Sequence, residues 1–351
     1  MVAADALPAD LAAAWRQIQD QASELRHPML AAAYVQCIAR HRAGVEVAVI
    51  RSNSGIVGFF PFQRDGAGVG RPVGYRLNDY QAAVLAPGVD ASIDAGWLLR
   101  QCGLRVWHFD HLLPSQRCFA AGHFSYEDSP YIDLSQGLQA CLEGITGPSR
   151  LNTLRRKARR MEREVGPLRF EFHTTEVDPF RTLLEWKSRQ VRRDGRRCVF
   201  DWPWVQDTLH ELRGVDDAAC MGTLSALYAG DQLAAAHLGL RSQDVLHWWI
   251  TAYNPDLSRH SPGAQLLVRL MAAAEPRGLK RIDLGKGVEP YKTDFQSGAM
   301  PLATGAVGTS LWTRVLQRTA YAVQDRVRSS PLAPLAKKLA YRLEARKHRE
   351  R

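Results

Sequence analysis

Residues 246–295 read LHWWITAYNPDLSRHSPGAQLLVRLMAAAEPRGLKRIDLGKGVEPYKTDF, and this stretch narrows the possible folds more than any other in the chain. The apolar, aromatic run 246–251 predicts a strand. A polar loop containing proline follows over 253–262. Gly263 and Ala264 then open a helix, with Leu266, Leu267, Leu270 and Met271 at helical spacing. Pro276 and Gly278 end it, residues 280–284 predict a second strand, and GKGVEPYKTDF closes the unit as a glycine-punctuated loop. A helix that starts at the end of a strand points unpaired N–H groups and the positive end of its dipole into one place. That place suits a phosphate.

The loop itself sharpens the reading. Arg259-His260-Ser261-Pro262-Gly263-Ala264 is similar to the R/Q-x-x-G-x-G/A loop with which GNAT acetyltransferases hold the pyrophosphate of acyl-coenzyme A. Pro262 stands where that loop has its first glycine; it removes one donor but pre-sets φ for the first helical turn. The order YNPD, SPG, DLG, EPYKTDF resembles the cellulose-biosynthesis-associated (CelD/BcsL-type) acetyltransferases, relatives of the FemABX aminoacyl transferases. The resemblance runs over about 151–295 and, more loosely, 27–85, where HPML, GIVGFFPF and LNDYQAAVL stand. It implies an α/β (α+β) fold of two GNAT-like lobes, with a mixed antiparallel sheet flanked by helices. It also implies acetyl-CoA or another acyl-CoA as co-substrate, held by Arg259, His260, Ser261, Gly263 and Ala264.

With 351 residues the chain has ample length for a core, as one large or two medium domains. No basic head precedes an apolar run at the N-terminus, and no apolar segment approaches the roughly 20 residues that span a bilayer. Six scattered cysteines without a C-x-x-C argue against zinc or a disulfide framework and for a reducing, cytoplasmic location. The net charge of +10 is uneven: residues 310–351 hold eleven Lys/Arg against three acids, and 150–169 hold eight against two. Two basic segments on a balanced body point to local contact with something anionic.

Along the chain, helices are predicted over 9–25 and 30–40, and strands over 46–51 and 55–62 joined by an Asn53-Ser54-Gly55 hairpin. Residues 66–76 read as loop, 80–85 as strand, 92–101 as helix and 104–109 as strand. A boundary falls near 144–149. Beyond it come a helix with Leu151, Leu154, Ala158 and Met161 on one face, a strand at 168–173, helices at 177–192 and 202–213, and a three-strand meander over 219–251. The domains expected are a degenerate GNAT-like lobe (1–145), an acyl-CoA-binding GNAT domain (150–309) and a basic amphipathic helical tail (310–351). The tail reads as helices packed on the body with a solvated basic face, as a surface for an anionic membrane, or as a contact for nucleic acid.

Acyl transfer from a thioester needs an acceptor held near the carbonyl, a base and an oxyanion donor. In a GNAT-like domain these gather where the strand before the loop and the strand after the helix part. Asp283, ending the second strand, reads as base or as loop-capping carboxylate. Glu289, in a loop freed by Gly285 and Gly287, reads as base, substrate ligand or solvated acid. His237, in AAAHLGL, reads as catalytic or as a core histidine. The resemblance turns Lys292 toward substrate, with Tyr291 beside it; a pairing with Asp294 or Asp283 is the structural alternative. Trp248 and Trp249 must face opposite ways, one to the core and one to an acyl or sugar surface. With no metal cluster and no Ser-His-Asp order, direct attack without metal is expected.

The function implied is acyl-CoA-dependent N- or O-acyl transfer to a saccharide-type acceptor in surface polysaccharide biosynthesis, without a covalent enzyme intermediate. The rivals are FemABX-like aminoacyl transfer from charged tRNA, and a non-catalytic GNAT-fold partner of a membrane polysaccharide synthase.

Overall fold

The computed structural model describes residues 1–66, 68–145, 148–287 and 289–328. The chain opens with β1 (Val2–Ala3), α1 (Ala9–Asp20) and α2 (Ala32–His41). Leu11, Trp15 and Ile18 form the buried face of α1, which ends at Asp20 rather than running to 25; a 3₁₀ turn at Ser23–Arg26 takes its place. The predicted hairpin is β2 (Val45–Ser52) and β3 (Gly55–Arg64). The glycine-rich segment expected as loop contains β4 (Val69–Arg71), and only β5 (Val84–Leu85) remains of the strand expected over 80–85. Then come α3 (Ala95–Gln101), capped by the Asp94 carboxylate accepting from the Trp97 N–H, β6 (Val106–Leu112) and β7 (His123–Asp133).

The second half begins with α4 (Leu138–Ile145), α5 (Pro148–Glu164), β8 (Leu168–Glu171), α6 (Val177–Arg193) and α7 (Pro203–Arg213). After β9 (Asp216–Asp217) the meander is β10 (Cys220–Ala229), β11 (Gln232–Arg241) and β12 (Val245–Tyr253). It leads into α8 (Pro262–Ala274) and β13 (Arg281–Asp283), as the pattern predicts. The segment expected as a closing loop instead forms α9 (Pro290–Phe295), because Pro290 pre-sets the first turn. β14 (Gly298–Gly308) and α10 (Leu311–Arg328) follow. The expected second tail helix, after Pro331, lies outside the described residues. No described helix is long and apolar enough to cross a membrane.

One mixed sheet runs through the molecule in the order β1-β2-β3-β4-β6-β14-β7-β13-β12-β11-β10-β8, with β5 on β3 and β9 on β10. Its two parallel pairs are β4–β6 and β12–β13. The halves exchange strands at the centre: β7 of the first pairs with β13, and β14 of the second lies between β6 and β7. Helices cover both faces. One apolar cluster joins α1 and α2 to α6, α7 and the meander through Trp15, Tyr34, Ile38, Val205, Leu209 and Ile250. A second packs α8 on the C-terminal strands, and a third packs α3 on the N-terminal ones. The two halves thus share both a sheet and a core.

Candidate active site between the two halves

β12 and β13 pair in parallel only as far as His247 opposite Asp283; β13 then stops while β12 continues to Tyr253. On its other edge β12 shifts register against β11 between Leu238 and Leu240, opposite the same residues. The strands therefore part at the expected place, and polar groups from both halves meet there.

His247 is fully buried, with Nε2 3.1 Å from Asp79 Oδ2 and Nδ1 3.4 Å from Asp283 Oδ1. Burial alone would lower its pKa, but the hydrogen bonds and charges of Asp283 and Asp79 outweigh that and raise it to about 9. Asp283 is also fully buried. Its Oδ2 accepts from the Tyr80 hydroxyl at 2.5 Å and from Arg281 Nη2 at 2.8 Å; Oδ1 accepts from the Gly285 N–H at 2.9 Å and from Ser129 Oγ at 3.3 Å. Burial opposes its ionisation, yet His247 and Arg281 hold it well below the usual carboxylate range. So enclosed, Asp283 anchors the charges of His247 and Arg281. Solvent reaches this chain of contacts at Asp79 and at Arg281, whose side chains are 28% and 22% exposed.

Lys292 is buried on α9, donating to the carbonyls of Gly285 (3.1 Å) and Lys286 (2.9 Å) and pairing with Glu289 Oε2 at 3.0 Å. Its carboxylate partner is therefore Glu289, not Asp283. Glu289 itself is half exposed; burial resists its charge, but Lys292 more than compensates and lowers its pKa. Gly287 (φ 140°) holds a backbone conformation that other residues rarely adopt, beside the Glu289 carboxylate. Tyr291 is partly buried against the C-terminal core, and burial raises its pKa. Asp283, Glu289 and Lys292 thus gather at one end of the gap.

His237 does not join them. It is fully buried and stacked on Trp248 with ring centroids 4.2 Å apart, and burial pushes its pKa down to about 3. It is a neutral core ring. Trp248 is core with it, whereas Trp249 sits on the opposite face, partly buried against the cluster shared by both halves.

The phosphate-loop residues surround the start of α8. Ser261 takes a left-handed conformation (φ 54°), and the first α-helical bond runs from the Gln265 N–H to its carbonyl. The N–H groups of Gly263 and Ala264 precede that bond and so lack intrahelical acceptors. Lys157 of α5 donates to Ser261 Oγ at 2.7 Å. A Cβ on Gly263 would meet nothing closer than Tyr253 Cδ1 at 3.6 Å, so the turn is open on that side. Arg259 and buried His260 both contact Glu164 Oε2, at 3.0 and 3.3 Å. Free donors, a lysine and an arginine fit a pyrophosphate; the Glu164 carboxylate is the one feature that opposes it.

Among the described residues, His27, His247 and Asp283 place potential metal-ligand atoms within 4.8 Å of one another. Their protons argue otherwise. His27 Nδ1 accepts from the Met29 N–H at 3.3 Å, so its buried Nε2 carries the hydrogen and offers no lone pair. The Arg281 guanidinium already neutralises Asp283. The ion pairs of His247 with Asp79 and Asp283, and of Arg281 with Asp283, hold the charged part of this cluster together.

Sequence reasoning missed Asp79, Tyr80, His247 and Arg281. His247 and Arg281 lie within the most informative stretch, but a histidine in LHWW reads as one more strand residue. Asp79 comes from LNDYQ, and only the fold carries it across.

Residues 148–293, under half of the chain, match the model of the acetyltransferase (GNAT) domain. No curated protein matches the chain. Among solved structures it is similar to FemX (TM-score 0.59, 9% identity, covering 86% of this chain and 97% of that one). It is also similar to the C-terminal domain of a putative lysylphosphatidylglycerol synthetase from Agrobacterium fabrum (0.53, 15%, 84% and 91%). A third is L-PGS from Bacillus licheniformis (0.52, 12%, 89% and 96%). At such identities these likenesses describe the fold. Residues 148–293 carry a GNAT acetyltransferase domain, which makes the protein an acyltransferase, and that domain lies within a two-part α/β fold.

Proposed function

We propose that the protein transfers an acyl group from acyl-CoA to an amine or hydroxyl of a sugar-containing acceptor, in surface polysaccharide biosynthesis. The observation that supports this best is the polar gap where β12 and β13 part, lined from both halves and adjoining a strand that runs into a basic helix start. The N–H groups of Gly263 and Ala264, with Ser261, Lys157 and Arg259, hold the pyrophosphate. His260 packs beneath the loop. Acyl-CoA would supply the acyl group as a thioester.

The acceptor lies between the halves. Glu289 takes the proton from the attacking group, directly or through water, as the new bond to the acyl carbon forms and its C–S bond breaks. Coenzyme A leaves as a thiolate that is protonated from solvent, and Asp79 accepts a hydrogen bond from the acceptor. Lys292 fixes the Gly285–Lys286 turn and the Glu289 carboxylate; Tyr291 and Trp249 flank them. Asp283 supports His247, which orients Asp79, and His237 has no chemical part. The saccharide acceptor rests on the resemblance of the YNPD, SPG, DLG and EPYKTDF segments, which also suggests a cytoplasmic protein working beside a membrane synthase.

A second reading, aminoacyl transfer from charged tRNA, draws on the FemX-like fold and the exposed arginines 155, 156, 159, 160 and 163 on α5. Calorimetric titration with coenzyme A and acetyl-CoA separates the two. Micromolar binding supports the first reading, whereas no binding to either, with binding to tRNA, replaces it by the second.

A further inference from the structure

The last described helix is fastened along one side only. The Tyr321 hydroxyl of α10 lies 2.5 Å from Ser125 Oγ, its ring packs on Phe124, and Thr313 fills the space over Gly308. At about 100° per residue, Trp312, Val315, Leu316 and Val323 fall within one arc of roughly 100° on the side away from Tyr321. All four face solvent, at 84%, 51%, 67% and 55% exposure. A helix that merely packed on the body would turn these residues inward and its arginines out. Here the apolar stripe is outermost, with exposed Arg318 beside it and exposed Arg326 at its C-terminal end.

The charge of the segment selects the occupant. Residues 310–351 hold eleven Lys/Arg against three acids, an excess of +8. Two copies joined through this stripe would bring like charge together, and a fold-back of 329–351 would do the same. An anionic lipid surface instead satisfies both features: headgroups take the cations, and the acyl boundary takes Trp312 and Leu316.

We infer that α10 is a membrane-docking helix which lies in the headgroup region of an anionic bilayer with Trp312, Val315, Leu316 and Val323 inserted. This surface is independent of the acyl acceptor. Flotation of the full chain with vesicles of phosphatidylcholine, alone or with phosphatidylglycerol, tests it at low and high salt. The wild type should float with the anionic vesicles and be weakened by salt. Two independent variants, W312S/L316S and V315S/V323S, should each lower partitioning, the first by about tenfold or more, because apolar burial is lost. Since these side chains touch little of the body, circular dichroism should be unchanged. Equal flotation of wild type and W312S/L316S would overturn the inference, leaving charge alone as the attraction. So would a wild type that ignores vesicles but sediments as a dimer which W312S/L316S dissolves.

Discussion

His247→Gln tests the charge network at the centre of the site. In the folded protein the His247 pKa is raised to about 9, against about 6.5 for an exposed histidine. The folded state therefore binds more protons than the unfolded state between those values, and stability falls as pH rises through that window. The stabilisation is fully present below about pH 6.5 and is lost by about pH 9. A shift of about 2.5 units, at about 1.4 kcal/mol per unit, makes it roughly 3 kcal/mol. A glutamine in place of the imidazole takes up no proton, so the variant should lack this component. Urea unfolding of both proteins at intervals from pH 6 to 9.5 gives the difference directly and cancels the cysteines, which titrate equally in each. The stability gap should be widest at pH 6, about 3–5 kcal/mol for breaking a buried ionic network, and should narrow by roughly 3 kcal/mol toward pH 9.5. A gap constant across the window would refute the argument, because His247 would then be neutral. Nitrogen-15 shifts of the ring, read at pH 7.5, should independently show an imidazolium.

Two further predictions bear on the chemistry. Glu289→Gln should lower acyl transfer by about 10²–10⁴ while coenzyme A affinity stays near wild type, measured by steady-state kinetics and calorimetry. Gly263→Val should weaken coenzyme A binding without lowering the thermal midpoint, since its Cβ site has room but its methyls would cover the first turn of α8.

What the sequence made legible follows from how local each signal is. The strand, loop, helix and strand around α8 carry their own start and stop residues, so hydrophobic spacing locates them. The meander does likewise. β7 and β14 went unseen because neither HFSYEDSPYID, broken by acids and a proline, nor GAMPLATGAVG, broken by glycines and a proline, alternates apolar and polar residues. They are strands because each lies between two neighbours that supply its hydrogen bonds, which is a tertiary cause. The site divides in the same way. Glu289 and Lys292 were found from one loop, and their ion pair is local. Asp79 and His247 are 168 positions apart, and no spacing rule links them.

Exchange of strands at the centre of the sheet should make the halves unfold together. β14 lies between β6 and β7, and β7 in turn supplies Ser129 to Asp283 and pairs with β13 through Tyr131, opposite Asp283. Gly305 sits in β14 where it crosses Gly122; a Cβ there would collide with the Gly122 carbonyl and press on Phe109. Gly305→Ala should therefore push β14 out of register at the join and cost about 1–3 kcal/mol, the usual penalty of overpacking. If the sheet is one cooperative unit, the loss should appear as a shift of a single unfolding transition, with tryptophan fluorescence and far-ultraviolet dichroism moving together. Were the halves independent, the strain would lower one transition and leave a second at its wild-type midpoint. Two transitions, one unmoved, would show that the shared sheet does not couple them, and the Asp79–His247 contact would then have to be held by the helical core alone.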